Sequence, residues 1–236
     1  MLTIRNLVKT YGNGPRAVDD LTLSVEAGDI YGFIGHNGAG KTTTLKCISG
    51  ILPFDSGEIF VDGIDIRKDP MAAKRIMRYL PDNPDLYPFL TGTGYLNFLC
   101  DIYGIDEAAR RERIATYAAA FEIESKLGDL VGSYSHGMCQ KLALIGALIQ
   151  QPKLLMLDEP FVGLDPKASH TLKGIMHDLV ENGSAIFFST HVLEVAEKLC
   201  NKIAIIKNGR LIASGPMDEV RGDQSLEELF LELTDA

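Results

Sequence analysis

No long run of basic residues, no CxxC pair and no apolar stretch of membrane-spanning length occurs in this 236-residue chain. Each absence removes a class of function. Without a basic run, and with a formal net charge of −9, nucleic acid is not expected as a principal partner. The cysteines Cys47, Cys100, Cys139 and Cys200 are far apart and have no metal-ligand spacing, so they read as ordinary reduced thiols. The longest apolar stretches, such as Leu142 to Ile149 and Ala185 to Phe188, fall well short of the roughly 20 residues a transmembrane helix needs. The first residues alternate in character where a secretory leader would be charged and then apolar, so no such signal is expected. Any membrane connection is expected to come through another subunit. No internal repeat occurs, which excludes two tandem copies of one domain. What remains is 46% apolar, enough for one large domain or one core with an insertion.

The most legible stretch runs from Gly32 to Lys46, GFIGHNGAGKTTTLK. Ile30 to Ile34 is a short β-branched and aromatic run that predicts a buried strand. Lys41 to Ile48 has no helix breaker and puts Leu45 and Ile48 on one helical face. Between them Gly35, His36, Asn37, Gly38, Ala39, Gly40, Lys41 and Thr42, with Thr43 next, have the spacing of a phosphate-binding loop. Glycines let the backbone turn until successive N–H groups point at one anion. The helix that follows adds its positive end. Lys41 can then reach the β- and γ-phosphates, and the Thr42 hydroxyl can ligate magnesium. The expected ligand is a nucleoside triphosphate.

Along the rest of the chain, Leu2, Ile4, Leu21, Leu23 and Val25 alternate with polar residues as half-buried strands do. Tyr11 sits in a glycine-rich loop between them. Gly57 to Val61, then Asp62-Gly63, predicts a strand entering a tight hairpin turn. From Pro70 to about Gln150 the pattern turns helical, with Leu96, Leu99 and Tyr103 on one face and Ile114, Tyr117, Ala118 and Phe121 on another. Leu80 to Pro88 is a proline-punctuated loop. Leu154 to Leu157 and Ala185 to Phe188 predict buried strands. Asp165-Pro166 opens a helix that closes at Asn182-Gly183, and Ile203 to Ile212 turns at Asn208-Gly209. Ser225 and Glu228 form a capping box for an amphipathic terminal helix. Strands alternating with helices around a phosphate loop predict an α/β fold with a mostly parallel sheet. The expected division is 1–86 β-rich with the phosphate loop, 87–150 an inserted helical subdomain, 151–215 core resumed, and 216–236 a helical tail.

A phosphate loop of this kind needs a further carboxylate for magnesium, supplied from the end of a neighbouring apolar strand. Asp158 fits, and Glu159 beside it can take the attacking water's proton. In order, GHNGAGKT, YSHGM, LLMLDEP, GLDP and STH resemble the nucleotide-binding subunit of ABC transporters, over essentially the whole chain to about Gly215. The resemblance implies a P-loop NTPase with a RecA-like core, an N-terminal antiparallel β subdomain and an inserted α-helical subdomain. It implies ATP and Mg2+ as cofactors, a second ATPase subunit and transmembrane permease subunits as partners, and a cytoplasmic place on the inner face of the membrane.

Carried over by motif, the resemblance puts Tyr11 on the adenine ring. Ser135 and Gly137 then open the signature helix, which points at the γ-phosphate held by a second subunit, and Gly163 to Pro166 contacts that subunit. His191 reads the γ-phosphate, which leaves Glu159, His191 and Lys41 as the catalytic set and Thr42 and Asp158 as the magnesium ligands. On residue type alone, Ser135 is an ordinary N-cap and Tyr11 a loop tyrosine. The signature departs from the familiar LSGGQ, because its first glycine and its glutamine are gone. Asp82 stands where the family places glutamine. A carboxylate can still face magnesium or water at the ATP site, but it cannot donate a hydrogen bond while ionised and it repels a phosphate. Asn83 supplies an amide if the loop shifts by one residue, and Asp82 is read as a tuned sensor of the nucleotide. The YLP-x-x-x-x-LYP-x-LT run from Tyr79 to Thr91 resembles export-type relatives. No role is assigned to the imidazoles of His36, His136, His170 and His177. The expected function is ATP hydrolysis driving an exporter; the alternative is a soluble ATPase of the same type acting as a scaffold or assembly factor. A GTPase reading fails because Asn201-Lys202 lacks the aspartate that reads guanine.

Overall fold

The computed structural model describes residues 1–235. In chain order, β1 (Leu2–Thr10) and β2 (Arg16–Val25) precede β3 (Ile30–Ile34), the phosphate loop and α1 (Lys41–Ile48). Then come β4 (Ser56–Val61), β5 (Ile64–Asp65), α2 (Pro70–Ile76), β6 (Met77–Leu80), α3 (Gly92–Tyr103), α4 (Glu107–Ala120) and α5 (His136–Leu148). The chain continues through β7 (Leu154–Asp158), α6 (Pro166–Glu181), β8 (Ala185–Thr190), α7 (Leu193–Leu199), β9 (Lys202–Lys207), β10 (Arg210–Pro216), α8 (Met217–Arg221) and α9 (Leu226–Asp235).

Two sheets result. A small antiparallel one has the order β2-β1-β4-β5, and a larger one has the order β10-β9-β3-β8-β7-β6. In the larger sheet β9, β3, β8, β7 and β6 run parallel, and β10 returns antiparallel as the edge hairpin. The mostly parallel α/β sheet and the separate antiparallel N-terminal sheet are both as expected.

The strand period of two divides the core into two layers. Phe33, Met156, Phe187 and Ala204 face one way and meet Leu2, Ile4 and Val25 of the small sheet and Leu45 and Ile48 of α1. Leu155, Ile186, Phe188 and Ile203 face the other way, against Leu144 and Leu148 of α5 and Leu172 and Met176 of α6. Each large side chain buried to this degree contributes roughly 1.5–3 kcal/mol, so these layers fix where the strand ends lie.

Helix starts follow the local chemistry. Asp69, Thr91, Asp106, Ser135 and Asp165 all accept a hydrogen bond from the first turn of the helix they precede, which satisfies amides that have no partner inside the helix. Ser225 and Glu228 exchange reciprocal bonds as a capping box, with the Glu228 carboxylate accepting from the Ser225 N–H at 2.9 Å. One expectation needs correction. The region after Pro70 is not uniformly helical, because Met77–Leu80 forms the edge strand β6, paired in parallel with Leu154–Leu157. Four residues with Arg78 among them carry no local strand signal; the pairing with β7 decides the conformation.

Candidate active site

The carboxyl ends of four neighbouring parallel strands form one edge of the large sheet. In spatial order they are β3, β8, β7 and β6, and they lead into the phosphate loop, His191, Glu159 and the Asp82 loop respectively. Ligands of open α/β sheets sit in the crevice outside such ends.

Gly40 precedes α1 at φ +110°, and a Cβ there would collide with the Ala17 carbonyl oxygen. Both the conformation and the close approach require glycine. No side chain caps this helix, so the amides of its first turn are free to face an anion. Lys41 is 6% exposed. Its ammonium donates to the carbonyls of Gly35 at 2.5 Å and His36 at 3.2 Å and lies 3.8 Å from Glu159 Oε1. Burial pushes its pKa below the ordinary lysine range, while the Glu159 and Asp158 carboxylates pull it back. Tyr11, half exposed beside the loop, brings its hydroxyl to 3.3 Å from Thr43 Oγ1.

Asp158 is 1% exposed. The Ser189 hydroxyl donates to its Oδ1, and the Tyr79 hydroxyl donates to Oδ2 at 3.4 Å. Burial, and then Asp158 itself, raises the Tyr79 pKa and keeps that hydroxyl protonated. Among the described residues Asp158 has no ion-pair partner. A buried carboxylate supported only by hydroxyls suits a hard divalent cation, which takes one or two carboxylates and completes its shell with phosphate oxygens and water. Asp158 therefore fits magnesium; Thr42, the second residue of α1, is half-buried at the end of the phosphate loop.

Glu159 adopts φ +49°, a conformation that costs a residue with a Cβ roughly 1–2 kcal/mol. Its N–H donates to the Ser189 carbonyl at 3.2 Å and to Ser189 Oγ at 3.1 Å. This turn at the end of β7 aims the carboxylate at Lys41 and at His191, whose Nδ1 lies 3.0 Å from Glu159 Oε1. The two catalytic candidates and the lysine are thus brought together.

Ser189, directly opposite Asp158 in the β7–β8 register, holds the Asp158 carboxylate and the main-chain N–H of Glu159 and is not among the residues that sequence reasoning singles out. A serine in the otherwise apolar run AIFFS is the signal that could have found it, as could the tyrosine in Met77–Leu80. We expect Ser189→Ala to lower unfolding stability by roughly 1–3 kcal/mol, the cost of leaving a buried acceptor without its donor, and to lower turnover more than ATP affinity. An unchanged denaturant midpoint would show the hydroxyl to be idle.

The other expected residues make contacts of their own. Asp82 is exposed and accepts from the N–H of Asn83 at 2.8 Å. Ser135 is exposed at the start of α5, where Oγ accepts from the Met138 N–H at 3.3 Å. That helix start is tied to the 163–165 loop. A Cβ on Gly163 would lie 2.6 Å from the His136 ring, and one on Gly137 would lie 2.9 Å from the Gly163 carbonyl. Lys141 pairs with Asp165 at 2.8 Å. His36 belongs to the phosphate loop, but its ring rests on Phe230, with centroids 4.8 Å apart.

A strand, a glycine loop, a helix start and an acidic strand end, which lies not on the adjacent strand as expected but one strand further, beyond β8, define on one sheet edge a P-loop nucleoside triphosphatase. Comparison with known proteins narrows the class. The ABC transporter family profile matches residues 18–162. The ABC-type transporter ATP-binding protein EcsA of Bacillus subtilis (strain 168) is 33% identical over 239 residues, spanning 99% of this chain and 96% of EcsA. The daunorubicin/doxorubicin resistance ATP-binding protein DrrA of Streptomyces peucetius is 36% identical over 230 residues, spanning 98% of this chain and 69% of DrrA. A solved structure of an ATP binding subunit of an ABC transporter superposes with a TM-score of 0.95 at 35% identity, covering 99% of each chain. The chain belongs to the ABC transporter family, as an ATP-binding subunit and an ATPase.

Proposed function

We propose that this ATPase drives an exporter, with two ATP molecules held head to tail between paired ATPase subunits and the stroke delivered to separate transmembrane permeases. One observation carries the reading. The phosphate loop gathers Lys41, Asp158, Glu159 and His191 from its own sheet edge, whereas the Ser135 helix start is exposed and braced against the 163–165 loop. A helix N-terminus presented in this way is an anion site open to a phosphate from elsewhere.

In this reading the loop amides and Lys41 hold the phosphates, and Tyr11 packs on adenine. Thr42 and Asp158 hold magnesium, which when bound neutralises charge on the phosphate oxygens. Glu159 accepts the proton of the attacking water, and His191 orients Glu159 and contacts the γ-phosphate. Ser135 and Gly137 of a second copy close the other side. Asp82 flanks the site from the β6 loop. The drug-resistance name of the Streptomyces peucetius relative supports the export direction.

No helix among the described residues is long and apolar enough to cross a membrane, so a permease partner needs a docking face. Tyr87, Phe89, Phe98 and Ile102 are all exposed, with Phe89 at 73%, and the Tyr87 ring touches those of Phe89 and Phe98. An aromatic patch of this kind on the surface marks an interaction site. It supports a peripheral position on the inner face of the membrane through that partner.

The pairing is tested in a Glu159→Gln background, where hydrolysis is expected to stall. Mg-ATP is expected to double the mass measured by light scattering, and adding Ser135→Arg is expected to keep the chain monomeric with ATP still bound. A Glu159→Gln chain that stays monomeric at saturating ATP would overturn the head-to-tail pairing of two copies.

A further inference from the structure

The terminal helix reaches the phosphate loop. Leu226, Leu229 and Phe230 of α9 are buried in the layer that holds Ile34 at the end of β3 and Ala196 and Leu199 of α7. The His36 side of the contact is exposed, and Phe230 meets its ring at 4.8 Å and an interplanar angle of 60°. Aromatic rings prefer tilted arrangements at such separations. His36 also bears on the chemistry through its main chain, because its carbonyl accepts from Lys41 Nζ at 3.2 Å and from the Ala39 N–H at 3.1 Å. The residue whose ring leans on α9 is therefore one of the two whose carbonyls hold the lysine, and its carbonyl also closes the loop. The helix under Phe230 also packs on α7, which begins two residues after His191.

We propose that Phe230 is a positioning residue for the phosphate loop. Through the His36 ring it holds the loop in the form in which Lys41 and the loop amides converge on the triphosphate. The terminal helix thereby sets ATP affinity, and by linkage bound nucleotide steadies the terminal helix to the same degree. The proposal rests on ATP binding at this loop but not on pairing of subunits or on the identity of any permease.

The test is a double-mutant cycle on the full chain, using Phe230→Leu, His36→Ala and the double variant, with KM for ATP, kcat and the denaturant midpoint measured for each. Leucine keeps the apolar contact with the core and removes the ring. An aromatic pair of this kind is worth roughly two- to tenfold in an equilibrium, so Phe230→Leu is expected to raise KM by that factor while kcat falls much less. The double variant is expected to match His36→Ala alone, and Phe230→Tyr is expected to restore wild-type KM. Additive effects of the two single changes, or an unaltered KM in Phe230→Leu, would overturn the proposal. A second measurement needs no variant. Hydrogen exchange in α9 of the wild-type chain should slow when ADP is added, and exchange indifferent to ADP would overturn it equally.

Discussion

Changing Glu159 to Gln is expected to cut ATP turnover by roughly 10²- to 10⁴-fold, the usual contribution of a positioned general base, while ATP remains bound. Glutamine has the same shape and can keep an oxygen near the main-chain N–H of His191, now 3.4 Å from Glu159 Oε2. It cannot accept a proton from water at neutral pH. Binding should hold or tighten, because a carboxylate beside the γ-phosphate position repels the phosphate and the amide does not. The carboxylate lies 3.8 Å from the Lys41 ammonium, and its removal frees that charge for the triphosphate. Turnover and Kd must both be measured, since their divergence is the signature. Turnover within about threefold of wild type, against the range expected of a general base, would remove Glu159 from that role and leave its left-handed turn without a catalytic reason.

Changing Lys41 to Met reverses that pattern, with binding lost first. The ammonium is positioned to exchange its contacts with the Gly35 and His36 carbonyls for phosphate oxygens. Two hydrogen bonds from a charged donor are worth about 3–6 kcal/mol together, or roughly 10²- to 10⁴-fold in Kd. The effect on stability has the opposite sign. Burial holds the folded pKa of Lys41 below its unfolded value. As pH falls through the ordinary lysine range the unfolded chain therefore takes up the proton first, and the charged group lowers stability at neutral pH. Methionine fills the same space without that cost, so the melting temperature of the nucleotide-free variant is expected to stay at or above wild type. Titration with a fluorescent ATP analogue and a thermal melt, done side by side, check both halves. A variant that binds ATP normally, or one that binds poorly only because it has unfolded, would contradict this account.

Much of the candidate site is legible in sequence because its parts are local. Residues 35–42 need only glycines at the turn and a helix start after them, and the structure supplies both. Asp158 and Glu159 are legible as the end of an apolar strand, and His191 as the end of another. The helix caps at Asp165 and Ser135 and the hairpin at Asn208-Gly209 are likewise contacts within a few residues, so residue type and spacing suffice.

Other features depend on which strand lies beside which. Nothing in Met77–Leu80 reads as a strand until β7 is there to pair with it, and that pairing brings Tyr79 to Asp158 and the Asp82 loop to the site. Ser189 is one more strand-end serine until the β7–β8 register sets it opposite Asp158. The approach of Phe230 to His36 joins the last helix to the first phosphate-loop residues, and no local pattern encodes it. Residue order alone thus specifies the phosphate loop, the two candidate carboxylates and the α/β class, because short-range geometry dictates each of them. How the lysine, glutamate and histidine meet, what holds Asp158 in place and which helix leans on the loop emerge only on packing, because strand order and layering are properties of the whole chain.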